Sequence, residues 1–223
     1  MNIQELLDKS LERKDAYKKS GKWSPSLFGS CLRRQYWNRA DELPTSPIDA
    51  LTLRRFAAGD LFHNFVQNIL LTADTSLQKE VTIETEDVKG RADLITADEV
   101  IDIKSQHSRS FFWMAKTKDI KKDRFNNWMQ VMWYARELGK PYGRLVFVEK
   151  DALCIQEYRL PCDAYWQGML DEELAALRNF WGKKLLPPPE PRLYGVDKAG
   201  KAKECGFCVY SINGKCKEGG EKK

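Results

Sequence analysis

The sequence predicts an α/β protein: a central mixed β-sheet flanked by helices. Three observations predict it. Stretches with helical apolar spacing are interleaved with short runs that alternate apolar and polar residues. Two of those short runs face each other across a polar tetrad in Gly90–Ser105, GRADLITADEVIDIKS, and read as a hairpin. A chain of 223 residues, 42% hydrophobic and 31% charged, can bury one medium core and has the composition of an ordinary globular protein.

In chain order, Asn2–Lys18 places Ile3, Leu6, Leu7 and Leu11 at helical spacing. Gly21-Lys22-Trp23-Ser24-Pro25 breaks that helix, and Ser26–Arg39 predicts a second, carrying Cys31, Arg33, Arg34, Tyr36 and Trp37. Pro44–Pro47 is a loop. A long helix is expected over Ile48–Leu71, with Leu51, Phe56, Phe62, Val66 and Ile69 available to the core. It bears His63, one of two histidines, with Gly59 four residues earlier on the same face. Leu77–Thr85 alternates Val81 and Ile83 with polar neighbours and predicts the strand before the hairpin.

Beyond the hairpin, Phe111–Gly139 reads as one aromatic-rich helix capped by Asp123 and stopped by Gly139-Lys140-Pro141. Gln130 and Tyr134 stand four apart on it, among core residues. Gly143–Glu149 and Leu153–Leu160 predict two further strands, with Cys154 and Cys162 as ordinary small buried residues. Asp163–Lys184 is an amphipathic helix with Leu170, Leu174, Leu177 and Phe180 on its buried face. Pro187-Pro188-Pro189-Glu190-Pro191 is a stiff linker, and Arg192–Lys223 is too polar to form a core alone. The expected organisation is a single domain over 1–223: an N-terminal helical segment (1–47), a core (48–186), and a linker with a cysteine-rich tail (187–223).

The net charge of +5 is mild, but Lys116–Arg124 and the tail from Lys198 are lysine-rich. Such runs form a solvated face or attract phosphates. No apolar run is long enough to span a membrane. Acids and lysines throughout Met1–Ser20 argue against a secretory signal. The expected location is therefore cytoplasmic, where six cysteines read as metal ligands or buried thiols rather than disulfides.

The hairpin carries the chemistry. With Thr96–Glu99 as its loop, the register pairs Ile95 with Val100, Leu94 with Ile101 and Asp93 with Asp102, while Asp102 and Lys104 share a face. Two carboxylates about 4 Å apart repel by roughly 4 kcal/mol at an effective dielectric near 20. A divalent cation offsets that cost, and an oxygen-rich donor set favours Mg²⁺ or Mn²⁺ over zinc. The bland alternative is an exposed hairpin with solvated charges.

Asp93 followed nine positions later by Asp102-Ile103-Lys104 resembles the bipartite active site of the PD-(D/E)XK nucleases, with Asp as the second acid and no proline before the first. Gly59-x-x-x-His63 upstream and Gln130-x-x-x-Tyr134 downstream are similar to the accompanying motifs of the RecB-like branch. The four elements stand in the family's order, and the resemblance covers about Ser26 to Cys216. The resemblance implies a restriction-endonuclease-like core with a metal cleft between the Ile48–Leu71 and Phe111–Gly139 helices. It implies divalent ions held by His63, Asp93, Asp102 and the Ile103 carbonyl, with Lys104, Gln130 and Tyr134 serving the reaction.

Cys205-Gly206-Phe207-Cys208 has metal-knuckle spacing, and Cys216 follows eight residues on. Three late thiols need a fourth, which Cys31 can supply. One early and three late cysteines resemble the iron–sulfur staple of some RecB-like nucleases, among them the CRISPR-adaptation nucleases and the nuclease domain of AddB. That resemblance implies a [4Fe–4S] cluster, and four thiolates also suit Zn²⁺. The functional expectation is a metal-dependent DNA exonuclease acting on single-stranded or end-exposed DNA. Its setting would be recombination, repair, phage DNA metabolism or CRISPR adaptation, alone or with protein partners. Arg33, Arg34, Lys121 and Lys122 are candidate backbone contacts, and Trp37, Phe112 and Trp113 candidate stacking residues. The alternative is a non-catalytic nucleic-acid-binding protein with a structural metal cluster.

Overall fold

The computed structural model describes residues 2–12, 20–45, 48–116, 119–211 and 215–216. Its centre is a five-stranded sheet in the order β1 to β5: β1 (Gln78–Glu84), β2 (Lys89–Ile95), β3 (Glu99–Gln106), β4 (Tyr142–Glu149) and β5 (Ile155–Pro161). All neighbours are antiparallel except β3 and β4, which run parallel. That parallel step needs a crossover, and the helical segment between them provides it.

Helices α1 (Ile3–Leu11), α2 (Leu32–Arg39) and α3 (Ala50–Ala73) precede the sheet. The Asp49 carboxylate caps α3 by accepting the Thr52 N–H at 2.6 Å. The first helix was expected to reach Lys18; residues 13–19 lie outside the described set. One face of the sheet (Leu94, Ile101, Ile103, Val146, Val148) packs against Phe62, Val66, Leu70 and Leu71 of α3. Leu51, Phe56 and Ile69, expected in the core, are instead about half exposed. A helix lying on one sheet face buries only a narrow stripe, and Val66 defines it.

The expected single helix over Phe111–Gly139 is three: α4 (Ser108–Met114), α5 (Ile120–Asp123) and α6 (Phe125–Glu137). The cap is Asp119 rather than Asp123, since its carboxylate accepts the Lys122 N–H at 3.1 Å and starts α5 afresh. Arg124, at φ −125° and ψ 32°, separates α5 from α6. α6 lies on the other sheet face, where Trp128, Met129, Val131, Met132 and Trp133 join Ala92, Ile95, Val100, Leu145 and Phe147. α7 (Ala164–Gly182) covers α6 with Trp166, Leu170, Leu174 and Leu177. α3 and α6 therefore flank the sheet from opposite sides instead of facing each other across a cleft.

The tail docks on the start of α2. A short helix, α8 (Lys203–Gly206), presents Glu204, whose buried carboxylate accepts the backbone N–H groups of Cys31 (2.8 Å), Arg192 (2.6 Å) and Leu193 (3.0 Å). Trp37 stacks near Tyr210, with ring centroids 5.2 Å apart. Cys162 is half-buried, whereas Cys154, expected inside, is exposed in the turn before β5. Among the described residues, no helix is long and apolar enough to cross a membrane.

Candidate active site

The hairpin register is the expected one at two positions, Ile95 with Val100 and Leu94 with Ile101. The third expected pair, Asp93 with Asp102, is not a ladder pair. Beyond Leu94 and Ile101 the strands part, and the Asp93 side chain enters the gap: its Oδ2 accepts the Ile103 N–H at 2.7 Å in place of a backbone carbonyl. The Asp93 carbonyl in turn accepts from Gln67 Nε2 of α3 at 3.3 Å. A carboxylate thus splits the sheet, and the Ile103 N–H and the Asp93 carbonyl both remain satisfied.

Two layers supply the rest. From α3, His63 brings Nδ1 to 3.7 Å from Asp93 Oδ2. From β3, Asp102 is buried, and Lys104 Nζ lies 3.0 Å from its Oδ1 and 2.9 Å from its Oδ2. From α6, Gln130 Oε1 accepts from Lys104 Nζ at 3.2 Å. Tyr134, one turn further on, accepts the Arg91 N–H at its hydroxyl, 3.2 Å away. Gly90 makes this approach possible, because a Cβ there would lie 2.7 Å from the Tyr134 hydroxyl oxygen and 2.8 Å from Pro25 Cγ. The six side chains singled out from sequence (His63, Asp93, Asp102, Lys104, Gln130, Tyr134) therefore meet in one place.

Burial raises the Asp102 pKa to about 6, against the pull of Lys104 and with further help from Asp93. Asp93 is also raised, again by burial first. Burial works to lower the Lys104 pKa, but Asp102 and Asp93 outweigh it and hold the ammonium charged. His63 is pushed down by burial and by Lys104, which favours the neutral imidazole a metal ligand needs. Burial moves Tyr134 up, so its phenol stays protonated.

Among the described residues, no three His, Cys, Asp or Glu side chains close into a metal-ligand set. The donors at the split nonetheless fit a hard divalent ion in kind. Asp102 Oδ2 is shut away from solvent with the Lys104 ammonium as its one close partner, and a second raised carboxylate and an imidazole stand beside it. Ile103, whose carbonyl was the fourth expected donor, is fully buried in β3.

Two residues escaped the sequence reading. Glu80 lies opposite Asp93 in register, between the pairs Lys79–Leu94 and Val81–Ala92, with its backbone in the left-handed region at φ 55°. Its carboxylate accepts from Gln67 Nε2 at 2.9 Å and pairs with Arg91. Gln67, fully buried, is four residues from His63 on the same face of α3, and that spacing was the available signal.

Where the tail docks, Cys31 begins α2 and Cys205 and Cys208 are buried. Burial raises the Cys216 pKa, and Cys31 and Cys208 raise it further, so thiols from both ends of the chain are electrostatic neighbours. This donor set fits a thiolate-bound metal in kind, a cluster or zinc. Arg33 is committed here rather than to solvent: its Nε donates to the Pro187 carbonyl at 2.6 Å and its Nη1 lies 3.9 Å from Cys216 Sγ. Arg34, also on α2, is partly buried near Tyr210. Trp37 is buried against the tail and offers no stacking face, whereas Phe112 and Trp113 are exposed. Lys121 and Lys122 are exposed on α5.

The fold is of the nuclease-like α/β class. The chain is similar to SSO0001, with a TM-score of 0.56 and 20% identity over 96% of each chain. It is also similar to LHK-Exo in complex with dAMP (TM-score 0.56, 14% identity, 74% of this chain and 89% of that one). A further structure, the alkaline exonuclease LHK-Exo from Laribacter hongkongensis, matches with a TM-score of 0.51 and 13% identity over 74% and 93% of the two chains. No family model and no curated protein matches the sequence.

Proposed function

We propose that this protein is a divalent-metal-dependent DNA exonuclease of the RecB-like PD-(D/E)XK type. The observation that carries the reading is Lys104, whose ammonium bridges Asp102 and Gln130 beside Asp93 and His63 at the split in the sheet. The likeness to an alkaline exonuclease supports it through the fold. His63, Asp93, Asp102 and the Ile103 carbonyl would hold Mg²⁺ or Mn²⁺. When bound, that ion acidifies water, polarises the scissile phosphate and stabilises the leaving oxygen.

The chain's own groups do the remainder. A lysine held charged is a poor base, so Lys104 orients the attacking water and offsets charge on the pentacovalent phosphate. Gln130 fixes the ammonium by accepting from it, and Tyr134 fixes Gln130 and the Arg91 backbone. Asp93 ties α3 and β2 to β3, so His63 and Asp102 keep their spacing. The four cysteines Cys31, Cys205, Cys208 and Cys216 bind a [4Fe–4S] cluster in this reading, with Zn²⁺ as the alternative. The cluster is structural and joins the two ends of the chain. A role in recombination, repair, phage DNA metabolism or CRISPR adaptation follows from the same resemblance.

Digestion of end-labelled single- and double-stranded DNA with Mg²⁺ or Mn²⁺ tests the proposal, using anaerobically purified wild type beside Asp102→Ala and Lys104→Ala. Cleavage by wild type that both variants abolish is expected, and the product ladder gives the polarity. A wild-type protein that binds DNA but cuts nothing with either metal removes the nuclease reading in favour of a non-catalytic binding protein.

A further inference from the structure

A cavity of about 830 Å³ among the described residues is lined by none of the side chains at the split in the sheet. It lies between the α4–α5 segment and the tail. Arg109, Trp113 and Lys122 form one wall, while Tyr194 and Lys203 of the tail form the other. Arg124 and Arg192 line it too, but they are engaged: Arg124 Nε lies 3.3 Å from Met114 Sδ, and Arg192 pairs with Glu173 at 3.0 Å. Asp123 is the one carboxylate on the lining.

Three features give this cleft a chemistry. Arg109, Lys122 and Lys203 form no salt bridge among the described residues, so three cations face a concave space with little to neutralise them. Low-dielectric walls around like charges focus the field and attract anions. Next, the rings of Trp113 and Tyr194 line the same space and are 74% and 51% exposed, a large apolar area for side chains with no protein partner on that side. Tyr194 is held there at φ 66°, and its ring meets Phe207 edge-on at 6.0 Å. Finally, the chain runs from the candidate active site into the cleft: β3 carries Lys104, and His107, three residues on, caps α4 and lines the cavity. At 3.3 Å per strand residue the two are about 10 Å apart.

Cations without a salt bridge among the described residues, beside aromatic rings with open faces, match a ligand that offers both phosphates and unstacked bases. We propose that this cleft binds single-stranded nucleic acid, with Arg109, Lys122 and Lys203 on its phosphates and Trp113 and Tyr194 stacking on its bases. The tail is then a wall of the strand path and not only a partner for α2. Glu204, which anchors Arg192, Leu193 and Cys31 together, sets where that wall stands. The inference rests on the nuclease reading for the direction of the strand toward Lys104, while its ligand can be tested without any chemistry.

The test is fluorescence anisotropy of a labelled oligo-dT with the full-length protein in EDTA, across a series of salt concentrations. Arg109→Ala/Lys203→Ala and Trp113→Ala are compared with wild type, with melting curves to show that each is folded. The double variant is expected to lower the salt slope by about 1.4, from two lost contacts at about 0.7 each. Trp113→Ala is expected to weaken binding about tenfold. Variants that keep wild-type affinity and slope overturn the inference, as does an equal loss on blunt duplex, or displacement of the oligonucleotide by polyglutamate of matched charge. A wild type that cuts no DNA, yet loses oligo-dT binding in these variants, removes the nuclease reading and leaves the cleft standing.

Discussion

Gly90→Ala is the substitution in which fold and candidate chemistry are most closely joined. One methyl group would meet the Tyr134 hydroxyl at 2.7 Å, Pro25 Cγ at 2.8 Å and Tyr134 Cε1 at 2.8 Å. Real side chains do not tolerate such contacts, so Tyr134 or the Pro25 segment must move. Overpacking of a tight core costs about 1–3 kcal/mol. Losing the bond between the Arg91 N–H and Tyr134 adds about 1 kcal/mol. A total of about 2–4 kcal/mol corresponds to a fall in Tm of roughly 4–16 °C for a chain of this size. Because Tyr134 also supports Gln130, and Gln130 holds Lys104, metal-dependent cleavage should fall at temperatures where the variant is still folded. Gly168→Ala is the control: nothing lies within 4 Å of its added Cβ, and it sits inside α7, so the change should be neutral or stabilise by up to about 1 kcal/mol. Thermal melts and single-turnover cleavage decide the matter. A Gly90→Ala protein that melts and cuts like wild type would refute the placement of Tyr134 against β2, and with it the chain of contacts from Tyr134 to Lys104.

The remaining predictions concern charge and metal. The Asp102 pKa is raised to about 6 in the folded protein from 3.8, so the metal-free fold binds the extra proton. Its stability therefore falls as pH rises from about 4 to about 6, by at most about 3 kcal/mol, and Mn²⁺ should raise the Tm more at pH 7 than at pH 5. Melts in EDTA that show no loss across this window would contradict the burial of Asp102. Breaking the Asp102–Lys104 pair from either side should cost about 3–5 kcal/mol. The Asp102→Asn/Lys104→Met double variant should recover much of that in urea melts while remaining inactive, and strictly additive losses would show that the two groups do not interact. Serine at any one of Cys31, Cys205, Cys208 or Cys216 should lower both bound metal and Tm, whereas Cys154→Ser, at an exposed position, should change neither. Unaltered melting with full metal content in all four would remove the idea of a staple.

The sequence by itself determined the local elements and much of the site's membership. Five strands and the two helices α3 and α7 lie within a few residues of their expected bounds, because period-two and helical apolar patterns report burial directly. The pairs Leu94–Ile101 and Ile95–Val100 were legible because a short polar loop leaves one register that keeps apolar residues together. Spacing alone could say that Gln130 and Tyr134 share a helix face and that Asp102 and Lys104 share a strand face. It could not say where the ladder ends. The Asp93 carboxylate takes the Ile103 N–H only because Gln67, from a helix on one face of the sheet, satisfies the carbonyl that the broken ladder leaves free.

Tertiary structure also decided which face of α3 is buried, since its apolar residues surround the helix and the sequence offers no preference among them. It broke the Phe111–Gly139 run at Asp119 and Arg124, where a side-chain cap and a non-helical backbone outweigh a continuous aromatic pattern. Above all it placed the polar tail. Glu204 has no signal in a lysine-rich sequence, yet its buried carboxylate gathers three backbone donors from segments up to 173 residues apart. Buried polar groups must find partners, and which partners come within reach is a property of the folded chain rather than of any local stretch.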